Sequence, residues 1–217
     1  MSDTINAAGL KMVKKWEGLN LTAYQCAAGV WTIGWGHTGK VDGVAVAKGM
    51  KITKTKAEEL LAADLKKFYG YTKQISYVPV APALNDNQRS ALCSFAFNCG
   101  ANNLKKLCKD RTPAEIADAM LLYNKVAGKT LAGLTARRKD ERKLFLAGME
   151  ENHDMDTLRR GDEGQQVKVL QKLLNRGLTV DGIFGGNTLD ALAEFQGEAG
   201  LTVDGICGAE TWEALLK

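Results

Sequence analysis

Glu17, Cys26 and Thr32 fall in the pattern E-x8-C-x5-T near the start of the sequence. A carboxyl can hand a proton to a leaving group, a thiol can serve as base or nucleophile, and a hydroxyl can hold a water. Glu17 closes a segment whose Ile5, Ala8, Met12, Val13 and Trp16 recur at helical spacing, and Gly18 supplies the stop. At a helix C-terminus the macrodipole is negative, and Trp16 restricts water there. Both effects disfavour a charged carboxyl, so Glu17 is expected to keep the proton a general acid needs. His37 is the other candidate: with Cys26 as nucleophile and His37 as base, the pair could serve an amidase or endopeptidase. Nothing around Cys26 looks like the helix N-terminus that would activate such a thiol.

The elements that must position these groups follow from patterning. Residues 19–50 are rich in glycine and β-branched residues and read as short strands and turns. Helical spacing then predicts helices over 53–69, with Thr53 as cap, and over 85–98, 112–126 and 134–147. The expectation is an α+β domain, mainly helical with a small antiparallel sheet.

The last sixty residues carry a repeat. TVDGIFGGNTLDAL recurs 23 positions later as TVDGICGAETWEAL, which marks one supersecondary unit used twice. Each copy reads as an Asp-Gly turn followed by a helix, and DEGQQVKVLQKLLNRG ahead of both supplies a third helix ending near Gly177. The chain therefore divides into a larger domain at 1–148, a polar linker at 149–157 and a small all-α three-helix domain at 158–217. His153 sits in the linker and is expected to be solvent-exposed.

Charge divides along the same line. The net charge is +4, but from Thr157 onward six basic and nine acidic residues give −3, leaving +7 on the larger part. A basic domain suits an anionic polymer, nucleic acid or bacterial wall, though solvated helix faces account equally well for any single cluster. The five cysteines, Cys26, Cys93, Cys99, Cys108 and Cys207, are odd in number and form no CxxC, which argues for reduced thiols and against a zinc site. No apolar run approaches the roughly 20 residues that span a bilayer, and residues 1–15 lack the basic start and apolar centre of a secretory signal. The expected location is cytoplasmic.

With IGWGHTG after the E-x8-C-x5-T spacing, the sequence resembles the bacteriophage lysozymes of glycoside hydrolase family 24; QRSALCSFAFNCG and LAGLTARRKDERKLFL resemble that family's central and late helices. The resemblance implies a lysozyme-like fold over residues 5–148 and a muramidase that cuts the β-1,4 bond between N-acetylmuramic acid and N-acetylglucosamine. Glu17 would be the acid, Thr32 would hold a water on the opposite face of the sugar, and Cys26 would orient or deprotonate it. Many members carry Asp at that position, so three readings of Cys26 stand: thiolate base, neutral positioner, or nucleophile of a retaining reaction. In an inverting arrangement acid and base stand roughly 6.5–9.5 Å apart.

The resemblance also pairs His37 with Asp64 as a structural contact. It brings Arg137 near Glu17, where it would restrain the carboxyl and favour its charged form against the burial effect, a surface pair of Arg137 with Glu141 being the alternative. Gly36 and Thr38 are assigned to substrate contact. Residues 158–216 resemble the peptidoglycan-binding type 1 domain, with Phe184 and Trp212 as candidate contacts to sugar or peptide, a scaffold role being the alternative for each. The implied partner is bacterial peptidoglycan, with no metal, cofactor, nucleic acid or membrane anchor. An endolysin of this kind would act as a monomer that waits in the host cytoplasm for a holin pore to release it to the wall.

Overall fold

The computed structural model describes residues 3–26, 29–147 and 155–216. His153 and most of the expected linker lie outside them.

Helix α1 (Ala7–Glu17) begins at Asn6, whose side chain accepts a hydrogen bond from the Gly9 N–H, and stops at Gly18. Its buried face is Gly9, Met12 and Val13, whereas Ala8, expected on that face, is exposed. Gly9 takes its place because the helix packs closely on Ser90: a Cβ on Gly9 would stand 2.7 Å from the Ser90 Cβ.

Strands β1 (Asn20–Gln25) and β2 (Trp31–Gly34) pair antiparallel, with Tyr24 opposite Thr32. A second hairpin joins β3 (Lys40–Val41) to β4 (Val44–Ala45). Helix α2 (Lys54–Thr72) opens at the predicted Thr53 cap, whose hydroxyl accepts from the Lys56 N–H. After a 3-10 turn at Ala81–Ala83, α3 (Asp86–Cys99) starts with a reciprocal capping box between Asn85 and Gln88. It is buried without a break from Gln88 to Ala96 and is packed by α1, α2, α4 (Ala101–Cys108) and α6 (Ala132–Ala147). Phe95, Leu104, Leu107, Ile116, Met120 and Phe145 fill the core around it.

The helix expected over 112–126 is shorter than predicted. Helix α5 (Pro113–Met120) has its capping box at Thr112 and Glu115, but Tyr123 turns inward to pack edge-on against Phe95 at 4.9 Å. Strand β5 (Lys125–Val126) then pairs with β6 (Lys129–Thr130). Ala127 and Gly128 make the two-residue turn, both with positive φ, the conformation tight hairpins select. The single small sheet expected from sequence is thus three separate hairpins.

Cys93, Cys108 and Cys207 are fully buried, and burial pushes the thiols of Cys93 and Cys108 up to about 12. None of the five cysteines is in a disulfide.

The C-terminal unit consists of α7 (Gln165–Leu174), α8 (Gly186–Glu198) and α9 (Ala209–Leu216) around Val167, Leu170, Leu192, Cys207 and Trp212. Ala83 of the 3-10 turn joins that core, so α7 rests on the larger domain.

Each Asp-Gly turn is pinned by a buried glutamine. The Gln171 amide donates to Asp181 at 2.8 Å and to Thr188 at 3.1 Å, and its carbonyl accepts from the Gly182 N–H at 2.9 Å. Gln196 repeats the set on Asp204, Thr211 and Gly205 at 2.9, 3.2 and 3.0 Å.

These bonds have a pH consequence. The Gln171 amide and the Ile183 N–H hold the Asp181 carboxyl below its ordinary 3.8. The Ile206 N–H and Gln196 do the same for Asp204. A depressed folded-state value means the stabilisation is present above 3.8 and is lost as pH falls through the lower folded value. Thermal unfolding of an Asp181→Asn, Asp204→Asn double variant is expected to depend less on pH between about 5 and about 2 than that of the wild type.

Candidate active site

Three elements converge on Glu17. The last turn of α1 carries the carboxyl, and it is fixed to α6 from outside: Asp140 accepts from the Trp16 indole N–H at 3.1 Å and from Lys15 Nζ at 2.6 Å. From inside, Arg137 of α6 donates from Nη1 to Glu17 Oε1 at 2.7 Å. The same guanidinium donates from Nε to Glu141 at 3.1 Å and from Nη2 to the Ser94 carbonyl at 3.3 Å. Three acceptors fix the plane of the fork and with it the direction from which Glu17 is held. Arg137 is 3% exposed, so the pair with Glu141 is not a surface contact but the rear of a buried relay.

Glu141 anchors that relay. It has no exposed surface and accepts from the Ser94 hydroxyl at 2.7 Å, while Arg138 Nε stands 3.0 Å from its second oxygen. Burial pushes the Glu141 carboxyl up, with Arg138 and Arg137 pulling against it.

The third element is the β1–β2 hairpin. Side chains two apart on a strand share a face, and so do directly opposed residues of an antiparallel pair. Tyr24 and Thr32, directly opposed, therefore lie on one side, and Cys26 follows just past the end of β1. The Tyr24 phenol is pushed up first by burial and then by the charges of Glu17 and Cys26. The Cys26 N–H donates to Val30 at 3.0 Å and its carbonyl accepts from Gly29 at 2.8 Å, a closed turn that fixes the base of the thiol. Thr32 is recessed, 3% exposed, and its hydroxyl donates to the Val30 carbonyl at 3.0 Å. With its proton committed, the oxygen keeps lone pairs with which to accept from a water.

The segment after β2 lines the same place. Gly36 has φ +84°, and a Cβ there would stand 3.2 Å from Glu17 Oε2, so a side chain at this position would crowd the carboxyl. Thr38 lies two residues on and is exposed. His37 takes up its expected partner: Nδ1 is 2.8 Å from Asp64 Oδ2, and Nε2 is 3.3 Å from the Lys40 carbonyl.

The model of the family described as phage lysozyme matches residues 14–141. The chain belongs to the phage lysozyme family. The endolysin of Salmonella phage P22 is 44% identical over 149 residues, 66% of this chain and 98% of that protein. An endolysin from Escherichia coli O157:H7 phage FAHEc1 superposes with a TM-score of 0.57 at 35% identity, over 67% of this chain and 94% of its own. The muramidase domain of SpmX from Asticaccaulis excentricus gives 0.55 at 32% identity, over 65% of this chain and 97% of its own.

This lysozyme also carries a match at residues 163–215 to the family described as "Putative peptidoglycan binding domain". There the structure corrects two sequence assignments. Phe184 and Trp212 are each 1% exposed, and the Trp212 indole N–H is bonded to the Asp156 carbonyl at 3.0 Å. Both are core residues and present no face to a ligand.

Ser94, Glu141 and Tyr24 are what the sequence reading left out of the site. Tyr24 had a signal, since it stands two residues before Cys26 on a strand. Among the described residues no cluster of three or more His, Cys, Asp or Glu side chains could hold a metal ion.

Proposed function

We propose that this lysozyme is an endolysin that hydrolyses the β-1,4 bond between N-acetylmuramic acid and N-acetylglucosamine in peptidoglycan. Glu17 acts as general acid, and Cys26 and Thr32 handle the attacking water. The observation that carries the reading is the hold on Glu17. Glu17 is held by Arg137 at 2.7 Å beside the bare backbone of Gly36, and its charge acts on Tyr24, which pairs with Thr32 across the hairpin.

In this scheme Glu17 protonates the glycosidic oxygen while Thr32 accepts a hydrogen from a water on the other side of the ring, turning a lone pair towards the anomeric carbon. Cys26 would take the water's proton as a thiolate base, or as a neutral thiol would accept a hydrogen bond that orients the water while the proton passes to bulk solvent. Arg137, Ser94 and Glu141 are positioning residues for the acid, and Gly36 and Thr38 lie along the path of the sugar.

The Cys26/His37 hydrolase reading draws no support from the site, because the His37 ring is engaged by Asp64 and the Lys40 carbonyl. The two readings separate on purified peptidoglycan. The muramidase releases reducing sugar ends; an amidase or endopeptidase releases new amino groups. His37→Ala is expected to keep at least about a tenth of the wild-type cleavage rate and to lower the melting temperature, the signature of a lost structural contact. Cys26→Ser is expected to keep partial activity, because Thr32 still holds the water. Loss of all activity in both variants, with amines as the product of the wild type, would put the thiol at the centre of the reaction.

Residues 158–217 serve as the wall-binding unit, joined through a linker at 149–157. Tethering holds the catalytic domain at high local substrate concentration without any new contact to the scissile bond. Among the described residues no helix is long and apolar enough to cross a membrane. In this proposal the protein acts as a monomer that reaches the wall from the host cytoplasm through a holin pore.

A further inference from the structure

The match between the two C-terminal repeats extends to their surface cavities. Thr179, Asp181, Ile183, Asn187 and Thr188 line one of about 280 Å³, which Gln171 closes from beneath. Adding 23 to each gives Thr202, Asp204, Ile206, Glu210 and Thr211. Those residues line a second cavity of about 220 Å³, closed from beneath by Gln196. In both, the polar floor is already satisfied internally by the glutamine network. In both, an isoleucine stands out at the rim, Ile183 at 51% and Ile206 at 39% exposure. The neighbouring Val180 and Val203 are also exposed, at 46% and 58%. Paired exposed aliphatics at corresponding places of a duplicated unit add nothing to the core, while the residues beneath them are held rigidly.

We infer that these two cavities are equivalent binding sites for the glycan strand of peptidoglycan, each taking an N-acetylated sugar of the same strand, so that the duplicated unit reads a repeating polymer twice. The inference rests on the reading of the C-terminal unit as the wall-binding part and says which surface of it does the binding. The chemistry favours the sugar chain over the stem peptides. The aliphatic rim suits the acetamido methyl and the apolar face of a sugar ring. The carboxylates of Asp181, Asp204 and Glu210 repel the acidic termini of stem peptides, as does the −3 charge of the unit. Two modest sites on one strand also give avidity that neither gives alone.

The test uses the full chain with Glu17→Gln, so that the polymer is not digested, and measures co-sedimentation with purified peptidoglycan. Ile183→Asp and Ile206→Asp are each expected to weaken binding by about 10²-fold or more, to similar final affinities, because either loss turns a two-site contact into a one-site contact. The double variant is expected to lose the binding due to this unit. Ile183→Leu and Ile206→Leu are expected to bind as the parent does, and unchanged melting curves for the Asp variants exclude misfolding. Short N-acetylglucosamine oligomers, which carry no carboxylate, should compete; isolated stem peptides should not.

Parent-like binding by both Asp variants would overturn the site. A single variant as weak as the double would overturn its duplication, and competition by stem peptides alone would overturn the ligand. Failure of the parent itself to sediment would instead overturn the wall-binding reading, a separate result. With Glu17 intact, cleavage of short soluble glycan fragments should be the same in all these variants.

Discussion

Glu17→Gln is expected to lower the release of reducing ends from peptidoglycan by about 10²–10⁴-fold, the range over which a positioned general acid contributes, with little change in binding or melting temperature. The amide keeps the shape of the side chain, and its oxygen can still accept from Arg137, but it has no proton to give to the glycosidic oxygen. A loss confined to the rate at saturating substrate is the mark of an interaction made only in the transition state. Steady-state rates on soluble glycan fragments, together with sedimentation on intact peptidoglycan, check the two halves of this expectation. A variant that cleaves at more than about a tenth of the wild-type rate would move the acid elsewhere and leave the E-x8-C-x5-T spacing without a role.

How far the site was legible in sequence depends on how local each signal is. Glu17 was legible because a helix stop and a carboxyl coincide in one short segment, and the cap at Gly18 is where the pattern put it. The partners of His37 and Glu17 lie 27 and 120 residues away along the chain, a distance no periodicity reports. Asp64 and Arg137 were reached only through the family resemblance. Even so, the depth of Arg137 came from the structure, since an i,i+4 pair with Glu141 reads alike on a surface and in a core.

The misplaced end of α5 has a different origin. Lys125 to Thr130 fits either a helix or a hairpin, and packing of Tyr123 on Phe95 together with the positive φ of Ala127 and Gly128 decides for the hairpin. Ala8 and Gly9 are a smaller case of the same kind. Both fit a helix face, and only the closeness of Ser90 selects the residue without a Cβ.

In the C-terminal repeat the turns are offset by 23 residues, but their pinning glutamines, Gln171 and Gln196, are offset by 25. An ungapped alignment of the copies therefore hides the one polar side chain that organises both. At Phe184 and Trp212 burial decides for the scaffold role over the ligand role. Aromatic residues invite a ligand role, yet a unit this small needs its large side chains for its own core.

Glu141→Ala is expected to destabilise the larger domain by about 3–5 kcal/mol, the cost of removing one partner from a buried charge network. Arg137 and Arg138 are 3% and 0% exposed, and both lean on the same carboxylate at 3.1 and 3.0 Å. Without it two guanidinium groups stay buried, with Glu17 at the cleft as the nearby carboxylate on Arg137. Arg137 would then be held by Glu17 and the Ser94 carbonyl alone, so the direction in which the acid points loosens as well.

The variant is therefore expected to lose activity even below its melting temperature, through positioning of Glu17. Glu141→Gln separates the two effects. Its amide oxygen can still accept from Arg137 or Ser94 and fills the same volume, so it should recover part of the activity while the missing charge keeps it less stable than the wild type. Denaturant unfolding and cleavage rates on the same preparations decide the matter. A Glu141→Ala protein that unfolds normally would mean that water reaches these arginines, and the rigidity ascribed to the hold on Glu17 would need another source.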